Sequence, residues 1–416
     1  MSGTVQALDR PAAAALIEAA TFGRAAANGG RRIGIEAELI AVDADTRSVA
    51  SLTRRVLPAV RSHATRTGWT EMPAVKGAPR FAVAGGGTLT FEPGGQLEYA
   101  TLPFTRPADL LEHLRAVVPP LVAAAADAGI DLIGVGIDPC NGIEAAPLQI
   151  EAERYRCMDA YFATLGRAGA RMMRQTASIQ MSVDAGSDAA RTWRLLNALA
   201  PVITAMFGNS RDYAGVDTGQ ASYRATTWRQ LDPSRTGLAW QAGDPLTGYT
   251  EFALGANAMF LTADGEYRPF SEWIERGAAS PASLETHLTT LFPEVRPRGY
   301  FEVRSIDALP PDAYAAPVLL LAGLTADDRA TDQACEVLGT PEPTLLARAA
   351  TCGLRDPALA SMAADLVRIA VTACRRVRDF GPGADLDSAL GFFERYTLRG
   401  RCPADDARAG LIATAA

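Results

Sequence analysis

Carboxylate side chains recur in four short segments that have the composition of β-strands. The segments are Ile33 to Leu39, Thr90 to Glu92, Gln96 to Tyr99 and Phe301 to Arg304. Because side chains alternate across a strand, Glu36 and Glu38 point the same way, roughly 6.5 to 7 Å apart. Acids on one face of a sheet repel each other unless a cation lies among them. Mg²⁺ with a nucleotide is the usual candidate, since hard oxygen ligands suit it and phosphates complete its octahedron.

The first pair of acids, taken alone, also fits the solvated face of an edge strand, where charges discourage unwanted pairing. A predicted hairpin favours a binding site instead, because it places Glu92 and Glu98 toward one side. Glu302 and Arg304 add a further acid and a cation two residues on. Carboxylates for metal ions and a guanidinium for a phosphoryl group together form the mixture that a nucleotide–magnesium site needs.

The elements that must position these residues are predicted from hydrophobic periodicity. Strict alternation over Thr176 to Asp184 predicts another strand with one wet face, and Gln180 lies on that face. Helices are predicted over residues 11–28, 107–128 and 189–207, and a buried helix over 313–324. The resulting class is α+β, with a curved, mainly antiparallel sheet and helices packed outside it.

We expect one catalytic domain over residues 1–416, because no internal repeat or clear linker is visible. Its core covers about residues 30–310, and a mostly helical portion covers about 311–416. The stretches 43–80 and 208–248 show weak periodicity. The second of these predicts substrate-binding loops, since long loops in a compact enzyme often carry function.

Composition excludes several partner classes. The net charge of −7 argues against nucleic-acid and acidic-membrane partners, since phosphate backbones are bound by clustered Lys and Arg. The N-terminal segment lacks the layout of a signal peptide, so a cytoplasmic location is expected. The six cysteines are scattered without a Cys-x-x-Cys pair, which favours reduced structural thiols over a zinc site. A monomer or small homo-oligomer is expected.

Other catalytic motifs are missing from the sequence. Gly85 to Gly87 lacks the rest of a Walker loop, and Gly134-x-Gly136 lacks the rest of a dinucleotide fingerprint. The three histidines share no spacing, and there is no Gly-x-Ser-x-Gly elbow, which argues against a hydrolase triad. The segment Tyr223 to Arg235 combines guanidinium and indole groups, which favours recognition of an anionic small molecule over a plain surface loop.

The chain resembles the plant-type glutamate–cysteine ligase family, and within it the branch that makes γ-glutamylcysteine for ergothioneine synthesis. The matching stretches occur in the same order and span about residues 30–310. They are Ile33 to Glu38, Phe91 to Glu98, Met172 to Gln180, Tyr223 to Arg235 and Tyr300 to Arg304. The resemblance implies a catalytic fold related to that of glutamine synthetase, with Mg²⁺ and ATP bound on the polar face of its sheet.

The resemblance also implies roles for individual residues. Arg304 contacts the transferred phosphoryl group, and Arg224 anchors a carboxylate of glutamate, with Trp228 and Arg235 shaping the same pocket. Magnesium ligands implied in this way are Glu36, Glu38, Glu92, Glu98 and Glu302, with Gln180 as a ligand or neighbour. Redox-controlled members of the family carry cysteine pairs, whereas no cysteine lies near Gln175 to Ser178 here, so no disulfide switch is expected.

The implied activity is ATP-dependent ligation of L-glutamate to L-cysteine through a γ-glutamyl phosphate, which gives γ-glutamylcysteine, ADP and phosphate. Two alternatives stay open at this point. One is a related carboxylate–amine ligase with a different amine acceptor, and the other is a non-catalytic relative that binds a nucleotide or amino acid. If the acids are catalytic, Glu302→Ala should abolish turnover and leave thermal unfolding nearly unchanged, whereas a large loss of folding would favour a structural role.

Overall fold

The computed structural model describes residues 7–23, 31–75, 77–262, 265–377 and 383–406. Within these ranges the dominant element is an open nine-stranded sheet with the order β12-β13-β7-β1-β5-β4-β3-β2, and β6 pairs with one end of β1. Its strands are β1 Ile33–Asp43, β2 Thr70–Val75, β3 Ala78–Ala82, β4 Thr88–Phe91, β5 Leu97–Ala100, β6 Ile130–Ile133, β7 Ser178–Val183, β12 Val295–Pro297 and β13 Phe301–Asp307.

Every pairing in this sheet is antiparallel, which confirms the predicted sheet type. Four short strands form two small ribbons outside it: β8 Asp212–Tyr213, β9 Val216–Asp217, β10 Thr236–Gly237 and β11 Phe292–Pro293.

Fifteen α-helices occur in the described residues. They are α1 Arg10–Ala20, α2 Leu57–Thr67, α3 Pro107–Ala126, α4 Glu153–Ala163, α5 Ala168–Gln175, α6 Ala189–Met206, α7 Tyr223–Arg229, α8 Pro245–Gly255, α9 Phe270–Glu275, α10 Pro281–Leu288, α11 Ala315–Leu324, α12 Asp328–Leu338, α13 Thr344–Cys352, α14 Pro357–Val377 and α15 Ala384–Arg395. The predicted first helix ends at Ala20, and its residues 24–28 lie outside the described residues.

The apolar face of the sheet forms one side of the main core. Ile35, Ile179, Met181 and Val303 are almost fully buried there, and helices α6 and α11 pack against β13 and β7. The alternation predicted for β1 and β7 is therefore confirmed, with acids and amides on the opposite face. The same core cluster includes side chains from both the sheet portion and the C-terminal helices. Whether these portions form one domain stays a prediction.

The weakly periodic stretches contain more regular structure than their sequence indicates. Residues 43–80 include α2, β2 and most of β3, and 208–248 includes α7 and the start of α8. Propensity is a weak signal for such short elements, which packing against the rest of the protein stabilises.

One helix among the described residues, α14, has the length and apolar composition of a membrane span. Its buried side chains, including Leu359, Ala363, Leu366 and Ala370, belong to the main core. The helix packs against α11, α12 and α6.

Candidate active site

A cavity of about 700 Å³ lies on the polar face of the large sheet. It contains nine of the ten site residues predicted from the sequence: Glu36, Glu38, Glu92, Glu98, Gln180, Arg224, Trp228 and Arg304 line it, and the Glu302 carboxylate is bonded to three arginines that line it. Strand register explains this convergence. Glu36 lies opposite Gln180, Glu38 opposite Glu98, and Glu302 opposite Ser182.

The hairpin turn that brings Glu92 to the cavity is fixed by close packing. A Cβ atom on Gly94 would lie 2.1 Å from the carbonyl oxygen of Arg174, so only glycine allows this approach. The Gln96 side-chain amide donates to the carbonyl oxygen of Thr176 at 2.9 Å. The turn between β4 and β5 is therefore held against the segment that leads into β7.

We use "acidic group" for Glu36, Glu38, Glu92 and Glu98. Burial and then nearby Glu302 raise the pKa of Glu36 to about 7, although Arg296, Arg304 and Arg298 oppose the rise. Burial also raises the pKa of Glu92 to about 7, with Glu38 adding to the rise. The pKa of Glu98 is raised well above its usual range by burial and by Glu36 and Glu92. These carboxylates lack sufficient compensating positive charge.

Within the acidic group, Glu38 has the best-satisfied side chain. The backbone N–H of Ser178 donates to one oxygen at 2.7 Å, and the Gln180 amide donates to the other at 2.8 Å. Burial still raises the pKa of Glu38, and Arg224 and Gln180 reduce that rise. Gln180 thus orients Glu38 and also accepts a hydrogen bond from Arg304.

The acidic group fits a hard divalent cation by its chemistry. Carboxylate and amide oxygens are the ligands that Mg²⁺ takes, and a cation among these acids would lower the pKa values that burial and mutual repulsion raise. In the positions they occupy, no three acidic, His or Cys side chains of the described residues converge closely enough to hold an ion. Binding would therefore require rotation of glutamate side chains that lie on fixed strands.

We use "arginine group" for Arg296, Arg298 and Arg304, which surround the fully buried Glu302. Arg296 donates to one Glu302 oxygen at 2.6 Å, Arg298 donates to the other at 3.3 Å, and Arg304 also donates to the carboxylate. Burial alone would raise the pKa of Glu302, but Arg296, Arg304 and Arg298 lower it to about 2. Both oxygens are occupied, so Glu302 is bonded to arginines where the resemblance implies a metal ligand.

Arg224 and Trp228 lie on α7, which begins at its N-cap Ser222. The Arg224 guanidinium is almost fully buried, donates to the carbonyl oxygen of Arg304 at 2.9 Å and lies 5.6 Å from the centre of the Trp228 ring. Arg304 lies at the same distance from that ring. Both cations therefore contact the same indole ring and line one cavity, which suits an anionic ligand.

Arg235 is the one predicted site residue that the structure does not bring to the cavity. Its guanidinium is fully buried, is bonded to Asp232 at 2.8 Å and to the carbonyl oxygen of Thr290 at 3.0 Å, and stacks on Tyr161. These contacts use its donors to tie α4 and the loop before β11 together. Arg235 thus supports the cavity wall from behind.

Sequence reasoning missed Arg154, Arg296 and Arg298, which all line the cavity. The alternation of Arg296, Pro297 and Arg298 just before β13 was a usable signal, since residues two apart share a face of a strand. Arg154 had no such signal. It lies on α4 and not on a strand of the sheet. Its guanidinium donates to the carbonyl oxygen of Thr289, which also lines the cavity.

Comparison with known proteins gives a consistent picture. A family model described as glutamate-cysteine ligase family 2 (GCS2) matches residues 32–412. The glutamate–cysteine ligase EgtA of Mycolicibacterium smegmatis is 34% identical over 358 residues, which cover 82% of each chain. The chloroplastic glutamate–cysteine ligase of Nicotiana tabacum is 28% identical over 309 residues, covering 68% of this chain and 59% of that relative.

The crystal structure of glutamate–cysteine ligase from Francisella tularensis in complex with AMP is similar in fold. It aligns with a TM-score of 0.52 at 13% identity and covers 92% of this chain and 84% of that one. At this identity the likeness concerns the fold alone. The predicted glutamine synthetase-like α+β class is confirmed.

Proposed function

This chain belongs to the glutamate-cysteine ligase family 2, and from that premise we propose that its cavity joins the γ-carboxylate of L-glutamate to the amine of L-cysteine. One observation carries the assignment to this cavity. A single sheet face places the acidic group, whose charge the arginines compensate only in part, beside the arginine group around Glu302. Such a pair can hold metal-bound phosphates at one end and a phosphoryl group in transfer at the other.

The proposed chemistry follows from the reactivity of a carboxylate. A carboxylate is a poor electrophile, so ATP first phosphorylates the γ-carboxylate of glutamate and releases ADP. The cysteine amine then attacks the acyl carbon of γ-glutamyl phosphate, the bond to the phosphate oxygen breaks, and phosphate leaves. The amine loses a proton as the amide forms.

We propose that Glu36, Glu38, Glu92 and Glu98, with Gln180 beside them, hold Mg²⁺. When bound, the ion reduces the repulsion between the substrate carboxylate and the phosphates of ATP. Glu302 joins this ligand set only if an arginine leaves one of its oxygens. Until then its role is to hold the arginine group in place.

The protein side chains supply the other roles. We propose that Arg304 faces the transferred phosphoryl group, with Arg296 close to it because both bind the same Glu302 oxygen. Arg224, with Trp228 against it, receives a carboxylate of glutamate. Arg235 acts only through the wall that it supports.

The partners proposed are small-molecule substrates, with no nucleic acid and no membrane. We place the reaction in the cytoplasm, because ATP and reduced cysteine are both supplied there. A monomer or small homo-oligomer remains the expected state.

An acceptor screen tests the function. Purified protein is supplied with ATP, Mg²⁺ and glutamate, ADP release is measured with cysteine and with a panel of other amines, and the product is identified by mass spectrometry. We expect rapid ADP release only when cysteine is present with the other three components. The expected product is γ-glutamylcysteine.

The screen has informative alternatives. Equal stimulation by other amines would overturn the cysteine assignment in favour of a related carboxylate–amine ligase. Nucleotide binding without ADP release under any condition would favour a non-catalytic relative. Glu144→Gln is a suitable control variant, since Glu144 lies on the surface in an exposed pair with Arg167 and should leave the activity unchanged.

A further inference from the structure

A bulge in β13 turns Asp307 toward the same side of the sheet as the cavity. Val303 pairs with Met181, but Ile306 pairs with Ile179 and Asp307 with Ser178, so one extra residue lies on β13 between these pairs. An extra residue reverses the alternation beyond it. Asp307 therefore joins the polar face, although an uninterrupted strand starting from Glu302 would place it on the apolar face.

Asp307 is fully buried and is surrounded by donors. One carboxylate oxygen accepts from the backbone N–H of Asn209 at 2.8 Å and from the Ser210 hydroxyl at 2.6 Å. The other oxygen accepts from the Ser222 hydroxyl at 2.9 Å, and Arg224 Nη1 lies 3.6 Å from it. Burial raises the pKa of Asp307, while Arg224 and these donors lower it in part. Since every one of these neighbours donates, the carboxylate is the form that satisfies them.

The neighbours of Asp307 are the groups that position α7. Ser222 is the N-cap of that helix and accepts from the backbone N–H of Ala225, and the Ser210 hydroxyl accepts from the backbone N–H of Arg224. Gly136 packs so closely that a Cβ there would lie 2.5 Å from the Asp307 carboxyl carbon. The Asp307 carboxylate thus contacts both the N-cap of α7 and the Arg224 guanidinium that this helix carries.

We infer that Asp307 is the positioning residue that holds the Arg224 guanidinium where it receives a carboxylate of glutamate. The inference rests on the proposed function, in which Arg224 is that anchor. Asp307 does not line the cavity, so it acts only through Arg224. The remaining side-chain contacts of Arg224 are with the Arg304 carbonyl oxygen and the Trp228 ring. Glu38 and Glu294 also interact electrostatically with Arg224, but among the described residues Asp307, at 3.6 Å, is the carboxylate that forms an ion pair with its guanidinium.

The test is Asp307→Asn, with steady-state kinetics for each substrate separately. Loss of the charge should raise the KM for glutamate roughly tenfold, because truncating one side of a buried charge pair weakens what the other side binds. The kcat should change by less than about threefold, and KM for ATP and cysteine should stay the same. Asp307→Glu, which restores the charge, should recover part of the loss.

Asp138→Asn is the matched control. Asp138 is equally buried and accepts from the backbone N–H groups of Cys140 and Asn141, but its side chain interacts with Asn141 and Arg47 instead of Arg224. This variant should keep the wild-type KM for glutamate. An equal rise of that KM in both variants would overturn the inference, as would a folded Asp307→Asn protein whose KM for glutamate is unchanged.

If Asp307→Asn does not fold, Ser210→Ala decides. It removes one donor to the Asp307 carboxylate and should raise the KM for glutamate by about threefold, while the KM for ATP stays the same. No change in that KM would contradict the inference. Wild-type protein assayed in parallel distinguishes a failure of the proposed function from a failure of the inference about Asp307. If the wild type forms no γ-glutamylcysteine, the proposed function is wrong.

Discussion

Two neighbouring regions of one sheet face treat buried carboxylates in opposite ways. In the acidic group, burial and repulsion by neighbouring acids raise the pKa values of Glu36 and Glu92 to about 7, with Glu302 acting on Glu36 and Glu38 acting on Glu92. In the arginine group, three guanidiniums lower the pKa of Glu302 to about 2 although it is fully buried. The first region has little compensating charge within the chain, and we propose that a cation from outside supplies it, whereas the second is compensated by the chain itself. The difference predicts which acids serve ligand binding and which also serve folding.

Glu302→Gln should produce the largest effect. It leaves the buried arginine group without its counter-charge, so we expect a loss of about 3–5 kcal/mol in the free energy of unfolding. We also expect turnover to fall by on the order of 100-fold or more, because the arginines that face the phosphoryl group lose their positions. Urea unfolding and ADP release measure the two quantities.

From the sequence alone we expect that loss of Glu302 leaves the stability nearly unchanged, whereas the structure predicts a large loss. The salt bridges with Arg296, Arg298 and Arg304 are the reason for the change. A Glu302→Gln protein with wild-type stability would show that the arginine group does not need this carboxylate.

Glu98→Gln should separate activity from stability. Glu98 lies opposite Glu38, and burial and neighbouring acids raise its pKa. Replacing its carboxyl group with an amide therefore relieves repulsion. We expect turnover to fall on the order of 100-fold, with the free energy of unfolding equal to or above that of wild type. A clear loss of stability would mean that the two regions do not differ in the way described.

Magnesium should act on one region only. Free Mg²⁺ at 100 times its dissociation constant should stabilise the folded protein by about 2.7 kcal/mol, which thermal unfolding detects as a higher Tm. The rise should be much smaller in Glu98→Gln and should persist in Glu302→Gln. Sodium chloride at matched ionic strength is the control, and an equal rise with either salt would contradict a specific site.

The last effect belongs to neither region, is absent at neutral pH and concerns His287. Its ring is buried, stacks on Phe270 and bonds to the carbonyl oxygen of Ala253, and burial lowers its pKa to about 4. Between about pH 6.5 and 4 the unfolded chain binds a proton that the folded protein does not, so stability falls as pH falls, by at most about 1.4 kcal/mol per pH unit.

His287→Gln isolates that contribution, because the glutamine amide can also donate to the carbonyl oxygen of Ala253 and does not titrate. As pH falls from 6.5 to 4.5, the wild type should lose more unfolding free energy than the variant does. A difference that is constant with pH would show that the pKa of His287 is the same in the folded and the unfolded protein.

The sequence by itself determined which residues share a face. Period-two alternation in β1 and β7 correctly grouped Glu36, Glu38 and Gln180, because the pleat of a strand is a local property of the backbone. The resemblance correctly indicated the family and the fold class. Composition and short motifs were sufficient for these conclusions, since each depends on residues close together in the chain.

Only the tertiary structure decided how each charge is compensated. The burial of Arg235 depends on Thr290 and Tyr161, which lie tens of residues away in the chain, and the role of Asp307 depends on a bulge that reverses the alternation of β13. The arginine partners of Glu302 are close to it in sequence, but the pairing of β12 with β13 is what places Arg296 opposite Glu302. Local patterns cannot reveal these features, because the electrostatic environment of a side chain is set by every segment packed around it. The sequence thus predicted the acids of the site, and the fold separated those that lack counter-charges from the one that the arginines already neutralise.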